Sequence, residues 1–314
     1  MFEQAIRLLE GADRIILHRH SHPDGDALGA QTGLFFLLAD NFPGKELYCV
    51  GDEAGRYAFM ARSTMDTVPD KLFPAALAVV LDCSAEHLIS DPRWKTAGQT
   101  LRIDHHLFCG ALCETELIDS SFESCAGMIA ALALEAGWRI SLPAATALYT
   151  GIVTDSGRFR YDCVSARTLG IAGRLLEQPV DTTSLYGSLY QDTLENLKLR
   201  SSFITRIERT PHGVAYLYND RALLEGLGLE TASVSRGMVG TMADLAGIPI
   251  WVNFTECEGG GVDCELRSSL YNINPVAVAF GGGGHPKASG AHVEGREKAM
   301  EMLAALDRLA EENA

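Results

Sequence analysis

The sequence predicts an α/β protein in two parts. An N-terminal parallel-sheet domain spans residues 1–180 and a smaller C-terminal α+β domain spans 211–314, with a helical connector over 181–210. Three observations predict it. Short apolar runs alternate with longer helical patterns up to about residue 180, as in a sheet buried on both faces. A polar stretch of helical period, DTTSLYGSLYQDTLENLKLRSSFITRIERT, follows, with no Pro and no Gly except Gly187. Beyond it the pattern changes to strands mixed with short helices, and 314 residues are enough for two domains.

Residues 14–18 (RIILH) read as a buried strand, and 27–39 as an apolar helix directly after an acidic loop. Strands at 46–50 (ELYCV), 77–81 (LAVVL) and 100–103 follow, then three helical patterns at 123–136, 143–153 and 164–177. In the second domain, 214–218, 250–255 and 262–268 read as strands. Helices are expected at 233–246 and 274–280, the latter with Asn274 at the N-cap and Pro275 at the first helical position.

Hydrophobic residues make up 47% and charged residues 21%, which implies a packed core rather than disorder. A net charge of −15 argues against long duplex nucleic acid, whose binding relies on many Lys and Arg contacts to phosphates. A short anionic substrate is compatible if cations are concentrated at one site. The opening residues carry Glu3, Glu10 and Asp13 inside their apolar pattern, unlike a signal peptide, and no window has the length of a membrane span. The eight Cys form no CxxC pair, so reduced thiols in a cytoplasmic protein are expected.

Residues 20–26, HSHPDGD, put two imidazoles and two carboxylates on one tight loop. Groups of the same kind recur at the ends of predicted elements: Asp82 ends LAVVLD, Asp104-His105-His106 end TLRIDHH, and Asp155 ends a helical run before Gly157. Taken singly, Asp82 also fits a helix cap, the opening loop a capped turn, and the two histidines a solvated surface. Ligands of open parallel sheets bind beyond the carboxyl ends of the strands, so the four clusters converge if the sheet forms. Carboxylates gathered there repel one another unless their pKa values rise or cations neutralise them. Oxygen and imidazole ligands without thiolate favour Mn²⁺ or a similar borderline metal over calcium or a Cys-type zinc site. Further on, Leu266-Arg267-Ser268-Ser269 and the run Gly281–Gly284 before His285-Pro286-Lys287 offer a guanidinium, hydroxyls and unobstructed backbone N–H groups, a loop that can wrap an anion. A flexible connector is the alternative.

HSHPDGD, LDCS, RIDHH and TGIVTDSGRF, in that order, resemble the four motifs of the DHH phosphoesterase superfamily, and RSS followed by GGGGHPKASG resembles its C-terminal DHHA1 substrate-binding domain. The resemblance covers nearly the whole chain and looks most like the nanoRNase branch, bifunctional oligoribonuclease and pAp phosphatase enzymes. It implies a pair of Mn²⁺ ions, with Mg²⁺ or Co²⁺ able to substitute. His20 and Asp24 would bind one ion and Asp26 the other, Asp82 would bridge both, and His105 and Asp155 would complete the second site. His106 would face the scissile phosphate and Asp104 would orient the imidazoles. Arg267, Ser268, Gly282, Gly283, Gly284, His285 and Lys287 would grip the substrate. His22 lies outside the family's ligand pattern. The implied partners are short single-stranded RNA or nucleotide phosphates, not long duplexes or membranes, with a homodimer left open. The rival readings are a cyclic-dinucleotide phosphodiesterase, a pyrophosphatase or polyphosphatase, a RecJ-type exonuclease and a non-catalytic nucleotide sensor.

Overall fold

The computed structural model describes residues 2–313. They form two compact units that divide between Gln191 and Asp192.

The first unit opens with helix α1 (Glu3–Gly11) and strand β1 (Arg14–His18), followed by α2 (Gly25–Asn41), β2 (Glu46–Cys49), β3 (Leu77–Leu81), β4 (Gln99–Asp104) and β5 (Thr115–Ile118). Helices α3 (Cys125–Glu135), α4 (Leu142–Asp155), α5 (Ala166–Leu175) and α6 (Thr182–Tyr190) complete it. The strands lie in the order β2-β1-β3-β4-β5, all parallel, with Ile15 opposite both Leu47 and Leu77. Side chains alternate across the sheet. Ile15, Leu17, Val79, Leu101 and Ile103 join a core with α2–α6, while Ile16, Ala78 and Val80 face the other way.

Helices do not alternate with strands throughout, as the sequence pattern predicts. The β2–β3 and β3–β4 connections hold only 3₁₀ turns, at Gly55–Tyr57, Asp70–Ala75, Glu86–Leu88 and Pro92–Thr96. Pro74, inside the second of these turns, denies it a backbone donor of a longer helix. The long helices therefore cover one face. There α2 and α4 cross closely because both carry glycine at the contact. A Cβ on Gly29 would lie 2.7 Å from the Ala147 carbonyl, and one on Gly151 would lie 2.5 Å from Ala126 Cβ and 2.8 Å from Asp26 Oδ1. This crossing sets Asp26, at the start of α2, against the C-terminal end of α4.

In the second unit α7 (Leu194–Ile204), β6 (Glu208–Arg209), β7 (Val214–Asn219), α8 (Arg221–Leu227), α9 (Thr231–Val239), β8 (Ile250–Glu256), β9 (Val262–Ser268), α10 (Asn274–Ala279), β10 (Gly283–His285), β11 (Ala288–Val293) and α11 (Arg296–Glu312) follow in turn. The sheet order is β10-β11-β9-β8-β7-β6, with only β7 and β8 parallel. One face packs Val252, Phe254 and Leu266 on α11, and the other packs Leu217 and Trp251 on α7–α9. The predicted connector is two helices, α6 in the first unit and α7 in the second, each restarted by its own cap: Asp181 accepts from Ser184 N–H and Thr193 from Asn196 N–H. Helix α9 ends at Val239 rather than 246, giving way to a 3₁₀ turn. Ile273, not Asn274, caps α10, and the Asn274 amide instead donates to the Gly284 carbonyl.

The second half of the glycine run enters a strand rather than a loop. Gly283, Gly284 and His285 pair with Gly290, Ser289 and Ala288. A Cβ on Gly282 would lie 2.1 Å from the Gly290 carbonyl and one on Gly284 2.7 Å from the Ala288 carbonyl, so close backbone approach accounts for both glycines.

Candidate metal centre

The acidic loop is built before any ligand is considered. Asp24 caps α2, its Oδ1 accepting from the N–H groups of Asp26 and Ala27 at 3.0 Å. Arg19, fully buried, holds the loop from behind by donating to Gln31 and to the carbonyls of His20 and Asp52. His20 also forms a bridge with Ile89, and Ser21 N–H donates to the Leu88 carbonyl. His22 points its backbone N–H at Asp52 Oδ2, 3.0 Å away, from a left-handed conformation (φ 52°).

At the carboxyl ends of the strands this loop meets the other predicted residues. His20 Nε2 lies 3.7 Å from Asp24 Oδ1 and 3.5 Å from Asp82 Oδ2. His105 Nε2 lies 3.5 Å from Asp82 Oδ1, 3.9 Å from Asp26 Oδ2 and 3.4 Å from Asp155 Oδ2. Asp82 thus turns one oxygen to each imidazole. It is itself nearly buried, in a left-handed conformation (φ 54°), and its Oδ1 has no hydrogen-bond partner. The other ring nitrogens are occupied: His20 Nδ1 is 2.8 Å from the Ser21 carbonyl and His105 Nδ1 is 3.3 Å from that of Phe122. Each Nε2 is thereby left as an acceptor. Donor atoms about 2.1 Å from a shared ion stand about 3–3.5 Å apart. The sets His20–Asp24–Asp82 and Asp26–His105–Asp155 therefore fit divalent cations with little adjustment.

The electrostatics agree. Burial, reinforced by Asp82, Asp155 and Asp24, pushes the Asp26 carboxyl well above the usual carboxylate range, although it accepts N–H bonds from Cys125 and Ala126 at the start of α3. Burial likewise raises Asp155 to about 7. Burial pulls His20 down, but Asp24 and Asp82 outweigh it and raise the imidazole to about 10. Without a cation, the cluster holds protons in its place.

His106 faces a different partner. Its Nδ1 is 2.7 Å from Asp104 Oδ1, which raises the imidazole to about 9. Burial opposes ionisation of Asp104, yet His106 and Arg102 keep it below the ordinary value, Arg102 donating to Asp104 Oδ2 from a fully buried position. The second unit brings Arg267, Ser268, His285 and Lys287 together on the paired ends of β9, β10 and β11. Arg267 is 3.1 Å from Glu265 and donates to the Leu266 carbonyl. The Ser268 hydroxyl is committed to the turn: it donates to the Pro249 carbonyl and accepts from Leu270 and Tyr271 N–H. The Gly282 N–H is likewise occupied, donating to the Ala277 carbonyl.

Comparison with known proteins gives the lineage. The DHH family N-terminal domain matches residues 14–152 and the DHHA1 domain residues 221–312. The bifunctional oligoribonuclease and PAP phosphatase NrnA of Bacillus subtilis is 34% identical over 316 residues, covering 100% of both chains. Its namesake from Mycoplasma pneumoniae is 31% identical, covering 96% of this chain and 94% of its own.

The chain belongs to the DHH family of metal-dependent phosphoesterases.

A solved structure of an exopolyphosphatase-related protein from Bacteroides fragilis shares the fold, with a TM-score of 0.88 at 24% identity over 99% of this chain and 97% of its own. Within this DHH domain, three supporting features escape sequence reasoning: Arg19, Arg102 and the amide pair of Cys125 and Ala126. Two basic residues beside strand ends were the available signal for the arginines. No local signal marks the amides, which lie 99 and 100 residues from the Asp26 they hold.

Proposed function

We propose that this DHH protein hydrolyses short oligoribonucleotides to mononucleotides, and pAp to AMP, by water attack between two Mn²⁺ ions. The observation that carries the reading is Asp82, a buried carboxylate whose Oδ2 faces His20 and whose unpartnered Oδ1 faces His105, both at 3.5 Å. His20, Asp24 and Asp82 would hold one ion, and Asp26, His105 and Asp155, with the same Asp82, would hold the other. Bound there, the ions would supply a water of lowered pKa and neutralise charge on the phosphoryl oxygens.

The chain's own groups do the rest. Asp104 fixes the His106 ring through Nδ1, leaving Nε2 to donate a hydrogen bond to the phosphoryl group as charge develops there. Arg102 keeps Asp104 ionised for that purpose. In the DHHA1 unit Arg267, His285 and Lys287 bind the substrate's remaining phosphate or terminal nucleotide. Ser268 and the glycines from Gly282 to Gly284 shape that platform.

The test is a comparison of kcat/KM, with Mn²⁺ present, for RNA dinucleotides, longer oligomers, pAp, cyclic di-AMP and pyrophosphate. Dinucleotides and pAp are expected to exceed the others by about a hundredfold, a discrimination of the size that polar substrate contacts supply. Preference for cyclic di-AMP or pyrophosphate would replace this reading with one of its rivals.

A further inference from the structure

The segment after Asp155 carries an unexplained cost. Gly157, Arg158 and Phe159 are all left-handed, with φ values of 56°, 63° and 62°. For glycine this is free, and for the other two it is strained. Phe159 has a packing reason: it reaches the core beside Tyr149, with ring centroids 6.1 Å apart. The Arg158 N–H closes the end of α4 on the Val153 carbonyl, but its exposed side chain has no packing reason of its own. What its position does achieve is to lay the guanidinium over the Tyr190 ring at 4.6 Å, three residues from a carboxylate of the metal centre.

A second guanidinium is arranged alike. Arg56 lies over the Tyr57 ring at 4.8 Å. The Tyr57 ring beneath it is buried. Neither forms an ion pair with a carboxylate among the described residues, in a chain of net charge −15. Stacking occupies the face of a guanidinium and leaves its edge, the fork of N–H donors that fits a phosphate, pointing outward.

We propose that Arg158 binds a phosphate of the substrate other than the one being hydrolysed. The left-handed turn follows directly on Asp155, a member of an acidic cluster that alone would repel a second negative group. This inference rests on the proposed hydrolysis of nucleotides. It assigns the remaining phosphate to the first unit and leaves Arg267, His285 and Lys287 the terminal nucleotide.

The test uses the full chain and two dinucleotides, pApA and ApA, which differ by one terminal phosphate. Arg158→Gly keeps the left-handed backbone while removing the fork, so its thermal melting should match or exceed that of the native protein. The native protein should favour pApA over ApA in KM by about tenfold, as one charge-assisted contact implies. In Arg158→Gly that preference should collapse, and Arg158→Lys should restore part of it. A preference that survives in Arg158→Gly overturns the proposal. Calorimetric binding of pAp to the metal-free protein separates this inference from the functional reading. About tenfold weaker binding by Arg158→Gly upholds the phosphate contact even if neither dinucleotide is cleaved, and equal binding overturns it.

Discussion

The acid cluster of the first unit and the strand ends of the second are both rich in polar groups, but they are satisfied in opposite ways. Around Asp82, imidazole nitrogens and carboxylate oxygens face one another at 3.4–3.9 Å, beyond ordinary hydrogen-bond length, and one buried oxygen has no partner. Around Arg267 the chain satisfies itself: Ser268 binds three backbone groups, Asn274 bonds to Gly284 and Ser289, and Ser289 donates to the His285 carbonyl. The first region is complete only when charge arrives from outside. The second keeps its shape unaided and offers an anion only the outer edges of its side chains. Cation sites are legible as deficits, and anion platforms are not.

The largest expected effect breaks that deficit. Asp82→Asn suits the left-handed backbone, because Asn tolerates it, and removes one charge. Hydrolysis should fall by about a thousandfold, the scale of several kcal/mol of lost charge stabilisation. Melting should separate charge from fold. Without metal the variant should melt no lower than the native protein, since a like charge is gone, and added Mn²⁺ should raise its midpoint much less. Near-normal turnover would remove Asp82 from the bridging role.

A smaller effect is expected on the other side. Arg267→Ala should raise KM for pAp by about tenfold or more, with less change for a small chromogenic phosphodiester that has no terminal nucleotide. Its shorter contacts, to Glu265 and the Leu266 carbonyl, lie within β9, and the Ser289 carbonyl on β11 is 3.5 Å away, while backbone pairing of β9 with β8 and β11 is unaffected, so the sheet should persist. Equal losses on both substrates would mean that the second unit does not anchor the substrate through this residue.

The same contrast governs what the sequence disclosed. The metal-centre residues lie at the ends of strongly apolar runs, where periodicity and chemistry change together, and they are read directly. Buried strands such as 77–81 are legible for the same reason. The short strand β5, TELI, half-buried at an edge, lacks that signal. Helix α1 is short and buries only Ala5 and Leu9. Helix α11 carries charges between its buried positions Ala299, Met302 and Leu306, and its pattern is visible only once a sheet exists for it to cover. The glycine run misleads because composition cannot separate a loop that wraps an anion from a strand pressed against its neighbour. The clash at Gly282 and Gly284 is a tertiary fact. Likewise the hold of α3 on Asp26 spans about a third of the chain, beyond any local pattern.

The smallest effect tests the self-sufficiency of the second unit. His212 is exposed there, with Nδ1 2.9 Å from Asp307 Oδ2, and Asp307 raises the imidazole above its ordinary value. A base whose folded pKa is raised stabilises fully below its unfolded value, near 6.5, and loses that contribution as pH rises through the folded value. Asp307 runs the other way. Burial pushes it up, but Thr210 and His212 hold it below the usual range, so its contribution is present at neutral pH and fades only in acid. Between these limits the pair should tie the 210–214 turn to α11 with constant strength. Hydrogen exchange in α11 should therefore quicken slightly more than its intrinsic rate above pH 6.5, and His212→Gln should flatten that excess. A native slope that persists in the variant would place the pH sensitivity elsewhere, and the second unit would then depend on groups outside its own ion pairs.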